Sequence, residues 1–521
     1  MRQENKKMNH KIKAALTIFI ILHIIFAVFL GMNKINFHYD EWLTFGLANN
    51  TMGGVNIENG KLYHGFSLYN DYLSVKDAER FDYEGVWENQ AKDVHPPFYY
   101  VIIHTICSVF SEQSSKWFGI IPNIFFMVCI DIFLFLLAKC ILKEDWLSFI
   151  TAFAAGTNML AMNMVIFLRM YEMVTFFIVC ISLLFSMYFN RDKDWKFYIG
   201  CYLCAVGGTM THYYFLVYLF FLCIFFGIRL LIQRKWKEIC SFFLTFLIAG
   251  GSCVLIFPAM IKQIFCGSTR GKQAFSAIQT FQNYGKYLVE YYEILNTDIF
   301  GGVSIWILFG FCCFVFWLIY KKRLNKWVER MDLVPVMLLS AGVLYVILIA
   351  KIAPYRTDRY VMPVGWIFIV FFVWLIKDLT TVMDITGKGR LNGGILLILL
   401  FMALSSMRIS DWKYKYDYQN DQQRFDIVEE YKACSVIYVY RVRSRTACNA
   451  QELKRCKDYV FVKPKGLQKL VEKEDKNQML LYIDEKYDDA EIINTILAEN
   501  THLKGATFLF KSRYAKVYYM E

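Results

Sequence analysis

The sequence predicts a polytopic α-helical membrane protein with a small C-terminal α/β domain, and three observations carry that expectation. Of 521 residues, 57% are apolar before glycine is counted and only 20% are charged, whereas soluble domains reach about 45–50% apolar with glycine included. Mean hydropathy is +0.34. The apolar residues also fall into long runs separated by short clusters of Lys and Arg, and the last stretch has the composition of a small soluble domain. Together these features exclude an ordinary soluble enzyme, a disordered chain and a nucleic-acid partner, and they make the bilayer the first partner.

The first run, Ala14 to Met32, contains no charge. It is long enough to cross the hydrocarbon core, for which about 20 residues suffice, and no small-residue cleavage pattern follows it. Further spans are expected at 117–138, 146–167, 171–189, 197–211, 213–229, 239–258, 301–320, 332–350, 360–376 and 392–407, about 11 in all. The stretch 197–229 also reads as one broken unit. Basic residues alternate across these spans. One set of loops, beginning with Arg2, Lys6 and Lys7, holds 22 Lys and Arg, and the opposite loops hold 14 over a longer length. By the positive-inside rule the N-terminus is cytoplasmic. The tail from residue 408 is then extracytoplasmic, as are the first loop (33–116) and the loop at 259–300.

Cysteine usage fits this picture. Of 15 Cys, 12 precede residue 408 and sit mostly within apolar runs as small hydrophobes, so no disulfide framework is implied. Cys201 and Cys204 have CxxC spacing but lie in an apolar span without further ligands, which reads as helix packing. In the first loop, Pro97 to Phe110 is apolar yet too short to span, and is expected as an interfacial or re-entrant helix. In the tail, Val436–Tyr440, Tyr459–Val462 and Met479–Ile483 read as strands, Asp489–Glu499 as a helix and Thr507–Met520 as a hairpin.

Candidate chemistry gathers at the outer ends of the helices. Asp40 and Glu41 stand eight residues beyond the first span, among Phe37, Tyr39, Trp42 and Phe45. The first loop closes with Asp93-Val94-His95-Pro96-Pro97, and the same face carries Arg169-Met170-Tyr171-Glu172, Thr211-His212-Tyr213 and Tyr355-Arg356-Thr357-Asp358-Arg359-Tyr360. A carboxylate pair opposite several arginines at the lipid boundary suits chemistry on a lipid-borne phosphate. Guanidinium forks hold phosphate oxygens, and a carboxylate can take a proton from an attacking hydroxyl. An aromatic belt with ordinary loop acids is the plainer alternative. Inside the second span, Asp131 reads either as a functional acid or as a helix-to-helix hydrogen bond.

In order over residues 1–407 stand the acidic pair, His95-Pro96-Pro97, Arg169-Met170-Tyr171 and Arg359-Tyr360-Val361-Met362-Pro363. In these the chain resembles the GT-C glycosyltransferases, in the branch of protein O-mannosyltransferases and the aminoarabinose transferases of lipid A. The resemblance implies a transmembrane catalytic domain over 1–407, with the tail (408–521) as an accessory module. It implies transfer of a sugar, with inversion, from a polyprenyl-phosphate carrier to an extracytoplasmic acceptor: a protein, lipid or cell-wall polymer. Asp40 matches the catalytic acid and Glu41 its partner. Arg356 and Arg359, then Arg169, are expected on the donor phosphate, with Tyr360, Tyr171 and His95 in support.

No certain cofactor is implied. A divalent cation on Asp40 and Glu41 stays open, with no metal cluster in the sequence. A transporter or flippase of lipid-linked sugars and a surface-glycan ligase or polymerase are the competing readings. The transporter fits less well, because the polar groups gather at one boundary and no repeat is visible. Compact loops without a large insert point to a bacterial plasma membrane.

Overall fold

The computed structural model describes residues 9–49, 54–188, 195–265, 269–382, 414–472 and 477–521. Seven of its helices are long and apolar enough to cross a membrane: His10–Asn33, Trp117–Leu142, Tyr171–Tyr188, Tyr214–Ile232, Trp236–Ile256, Leu333–Ile352 and the segment Met362–Val382. This is a multi-pass membrane protein. The first helix shows how such a span sits between lipid and protein. Leu16, Phe19, His23, Ala27 and Leu30 recur at three- and four-residue steps and are buried, while Ile18, Ile21, Leu22, Ile25 and Phe29 face outward. Being apolar on both faces, it is held by packing, with no polar face to keep in water.

Three expected spans differ. The run 146–167 is two helices, Asp145–Thr157 and Met159–Ile166, bent by 56°. Asn158 makes the break: its side-chain oxygen caps the second helix at Ala161 N, and its amide donates to the carbonyls of Ala154 and Ala155 at the end of the first. The expected spans at 197–211 and 301–320 are helices of 15 and 17 residues, Trp195–Thr209 and Ser304–Tyr320, the first under and the second at the lower limit of length for a crossing. The expected span 392–407 lies outside the described residues. The apolar segment after Pro97 is a 12-residue helix, Phe98–Val109, as its length implied. Asp131 meets His23 across two helices, Oδ2 to Nδ1 at 2.8 Å, so it does make a helix-to-helix hydrogen bond.

The polar tail folds around a six-stranded sheet of order β1-β3-β2-β4-β6-β5. Its strands are β1 (Leu62–Tyr63), β2 (Ser435–Val439), β3 (Asp458–Val462), β4 (Met479–Asp484), β5 (Ala506–Lys511) and β6 (Ala515–Met520). The central three are parallel and buried at every position, which is why they read as unbroken apolar runs. Strand β1 comes from the first loop, so the tail is not a free-standing module. The two faces of the sheet meet different partners. Ile437, Val439, Val460 and Leu481 pack under the helices Pro464–Val471 and Asp489–Glu499, whereas Val436, Tyr438, Tyr459 and Phe461 join the core of the membrane part.

One close approach fixes the first-loop helix Tyr39–Asn49. A Cβ on Gly46 would lie 2.0 Å from the Oη of buried Tyr72. Gly46→Ala is therefore expected to cost about 1–3 kcal/mol through displacement of that ring. The corresponding fall in melting temperature checks it, and an unchanged value would show that the ring yields freely.

Candidate active site

The first span ends at Asn33, and the next five residues lead into the helix Tyr39–Asn49, whose first turn carries Asp40 and Glu41. Adjacent helical residues point about 100° apart, and here one acid faces inward and the other outward. Glu41 is wholly buried. Its carboxylate accepts from Lys34 Nζ and from the backbone N–H groups of His38 and Leu168 (2.7 Å). Lys34 is buried too, and also donates to the carbonyl of Tyr416 at 2.6 Å. Burial raises the Glu41 carboxyl and lowers the Lys34 amine, and the attraction between them opposes both shifts. Both oxygens of Glu41 are engaged, so this acid anchors the loop and offers no free ligand to a cation or an acceptor.

Asp40 is the acid that reaches the site. Its side chain is 21% exposed and forms an ion pair through Oδ2 with Arg359 Nη1. Arg359 lies in the 3-10 turn Asp358–Tyr360, is nearly buried, and donates through Nη2 to the Tyr360 hydroxyl at 3.2 Å. Its Nε is buried and has no partner among the described residues. Beneath Asp40, Arg169 Nη1 donates to the Asp40 carbonyl (3.2 Å), Thr44 Oγ1 (2.8 Å) and the Tyr100 hydroxyl (3.1 Å). Its Nη2 lies 3.3 Å from His95 Nε2, and His95 Nδ1 bonds Asp93 Oδ2 at 2.8 Å. Because Nε2 must accept from Arg169, Nδ1 carries the proton and donates to Asp93. Burial pushes the Asp93 carboxyl up, but His95 and Arg169 outweigh it and hold it below the usual range.

The structure thus brings together Asp40, Glu41, His95, Arg169, Arg359 and Tyr360. Tyr171 joins through His212, whose ring is 5.7 Å from Tyr171 and 5.8 Å from His95. Among the described residues, Arg356 is not seen in contact with Asp40. It stacks 3.3 Å from the Tyr287 ring centre, in a groove of about 510 Å³ with Tyr284, Lys351 and Tyr355. That groove adjoins the site through Tyr355, whose ring centre is 5.8 Å from the Arg359 guanidinium.

Several site residues had no sequence signal strong enough to single them out. The ring of His38 lies beside Asp40, with Nδ1 accepting from the Asp40 N–H at 3.1 Å and standing 3.6 Å from Asp40 Oδ2. Burial, then Arg359 and Arg513, bring its pKa down to about 2. The imidazole is neutral, with its proton on Nε2. The unfolded chain, with an ordinary His pKa near 6.5, binds more protons than the folded one between that value and about 2. His38 therefore removes stability as pH falls through this window. His38→Gln is expected to flatten the decline in melting temperature below pH 6.5, and an unchanged slope would show that other groups set it.

The tail builds the other wall. Tyr416 stacks on Phe167 at 4.1 Å and donates to Asp358 Oδ1 at 2.9 Å, where Lys415 also binds, so it steadies the turn that bears Arg359. Arg513, in the β5–β6 turn, donates to the Phe37 carbonyl and to Asp421, which also holds Asn36. Ile35 N donates to the Asp417 carbonyl, and Tyr39 Oη bonds Ser444. The short path into Asp40 is tied to the tail at nearly every residue. Among the described residues, no group of three or more His, Cys, Asp or Glu is placed to hold a metal ion.

Spans packed beneath a sheet-bearing tail, with charged residues of both signs converging where the first loop meets that tail, define the chain as a membrane protein of the GT-C glycosyltransferase fold. The comparison behind this is with ArnT from Cupriavidus metallidurans. Its structure bound to undecaprenyl phosphate superposes with a TM-score of 0.50 and 9% identity, over 96% of this chain and 98% of ArnT. The apo structure of ArnT gives the same values. The archaeal oligosaccharyltransferase AglB from Archaeoglobus fulgidus, solved with an inhibitory peptide and a dolichol-phosphate, aligns over 96% of this chain and 74% of its own at 10% identity, with a TM-score of 0.44. No protein-family model matches the chain, and no curated protein matches it significantly in sequence.

Proposed function

We propose that the protein transfers a sugar from a polyprenyl-phosphate carrier to an acceptor hydroxyl on the extracytoplasmic side, with inversion at the anomeric carbon and Asp40 as general base. The observation that carries this is the pairing of the open carboxylate of the acidic pair, Asp40, with the guanidinium of Arg359, above a second buried guanidinium, Arg169. An incoming phosphate competes for Arg359 and for its unpartnered Nε. As Arg359 turns to the phosphate, the Asp40 carboxylate is released toward the acceptor. The acceptor oxygen attacks the anomeric carbon, and its proton passes to Asp40. The bond from that carbon to the phosphate oxygen breaks, its electron pair leaving with the polyprenyl phosphate.

Phosphate leaves without protonation, so a single carboxylate suffices, and the two-acid arrangement of glycosidases is not needed. Arg359 and Arg169 stabilise the charge of the departing phosphate, and Tyr360 orients Arg359. Glu41 fixes the loop that presents Asp40. No step is assigned to a divalent cation, because neither oxygen of Glu41 is available to share one with Asp40. The loop 33–116 and the tail stand together on the extracytoplasmic face of a plasma membrane, on the evidence of the basic-residue asymmetry. The test is release or transfer of labelled sugar from synthetic undecaprenyl-phosphate-hexoses by the protein in lipid discs, with a mixed acceptor extract. Asp40-dependent transfer supports the reading. Absence of transfer from every donor, with folded protein and acceptor present, overturns it.

A further inference from the structure

Away from this site, three titratable side chains from three helices converge in the interior of the membrane part, and the proposed transfer uses none of them. His23 (3% exposed), Asp131 (0%) and Glu172 (1%) belong to the helices His10–Asn33, Trp117–Leu142 and Tyr171–Tyr188. His23 and Asp131 bond each other, but Asp131 Oδ1 and Glu172 Oε2 have no partner among the described residues. Leaving either carboxylate oxygen unmatched in so dry a place is costly. Asp131 and Glu172 both line one small cavity of about 30 Å³, room for about one water-sized guest.

Charge and geometry narrow the guest. With both acids ionised, the cluster carries one negative charge in excess even with His23 as an imidazolium. No Lys, Arg or His lines the cavity to cancel it. A proton shared directly between the two acids would draw their oxygens to about 2.5–2.7 Å, yet no bond joins them and open volume lies beside both.

The break between Asp145–Thr157 and Met159–Ile166 borders the same cavity through Gly156 and Asn158. The last four carbonyls of a helix lack intrahelical partners, and Asn158 satisfies those of Ala154 and Ala155. Gly156 itself forms part of the cavity wall. A side chain there is excluded, because a Cβ would lie 2.7 Å from Asp131 Oδ1 and 3.1 Å from His23 Cε1. Carboxylates beside an interrupted helix are a means of holding a cation within a membrane.

We propose that this cavity is a binding site for a small monovalent cation, Na⁺, held by the carboxylates of Asp131 and Glu172 and by carbonyl oxygen at the helix break. The ion supplies the missing positive charge and couples the first three long spans to the broken helix. The site is independent of the transfer reaction, so its test needs no substrate. The melting temperature of the protein in lipid discs is measured at constant ionic strength in NaCl, KCl or choline chloride. Na⁺ is expected to give a saturable rise of a few degrees over choline. Glu172→Gln and Asp131→Asn, which keep shape and remove charge, are expected to abolish that rise. Equal melting of the wild type in Na⁺ and choline overturns the proposal even where a variant fails to fold. A rise that persists in Glu172→Gln overturns it as well.

Discussion

Replacing Asp40 with Asn is expected to lower sugar transfer by about 10²–10⁴-fold, the usual worth of a positioned general base, while the protein stays folded. The amide keeps the size of the carboxylate and can still accept from Arg359. What it loses is the capacity to take the acceptor proton. The buried scaffold under it is untouched: Glu41 still receives Lys34 and two backbone N–H groups, and Arg169 reaches residue 40 through its carbonyl, which the substitution retains. Loss should therefore fall on kcat, with donor binding preserved or tightened, since Arg359 is no longer shared with a full negative charge. Turnover and melting temperature measured on the same preparation separate the outcomes. Wild-type turnover removes Asp40 from the chemistry, and collapse of the fold assigns it a structural part.

The contrast between Asp40 and Glu41 shows where reading the sequence stops. Both acids were visible in the sequence, and the structure sets them in the first turn of the helix that follows the first span. Which one faces the site depends on where Lys34, Leu168 and Tyr416 come to lie, and residues 168 and 416 are far away in the chain. Arg356 and Arg359 were equally alike on paper. The 3-10 turn Asp358–Tyr360, held by Tyr416 and Lys415 from the tail, sends Arg359 to Asp40, while Arg356 stays stacked on Tyr287. His38 was passed over for the same reason, since the charges that keep it neutral, Arg359 and Arg513, are brought from afar.

What depended on local pattern was legible. The central strands of the tail are buried on both faces and announce themselves as apolar runs. Strand β1 is two residues long and exists only because β3 pairs with it. The break at Asn158 is an intermediate case. An N-capping residue interrupts the apolar run, but hydropathy alone carries the eye across it.

Arg359→Ala is expected to weaken donor use most, raising the donor KM by about 10–100-fold, the worth of a charge-assisted hydrogen bond to phosphate at about 1.5–3 kcal/mol. In the resting structure this guanidinium spans Asp40 and the Tyr360 hydroxyl and keeps Nε in reserve. It is thus placed to pass from carboxylate to phosphate without leaving its pocket. Arg359→Lys keeps the charge and loses the fork, and an intermediate KM is expected, because an ammonium cannot serve both partners in one geometry. Free guanidinium ion added to Arg359→Ala should restore part of the activity, a response that a general loss of folding would not give. Donor saturation kinetics unchanged in Arg359→Ala would take the residue out of the phosphate site. The Asp40–Arg359 pair would then be a structural lock, and Arg169, the other guanidinium at Asp40, would be the next cation to test against the donor.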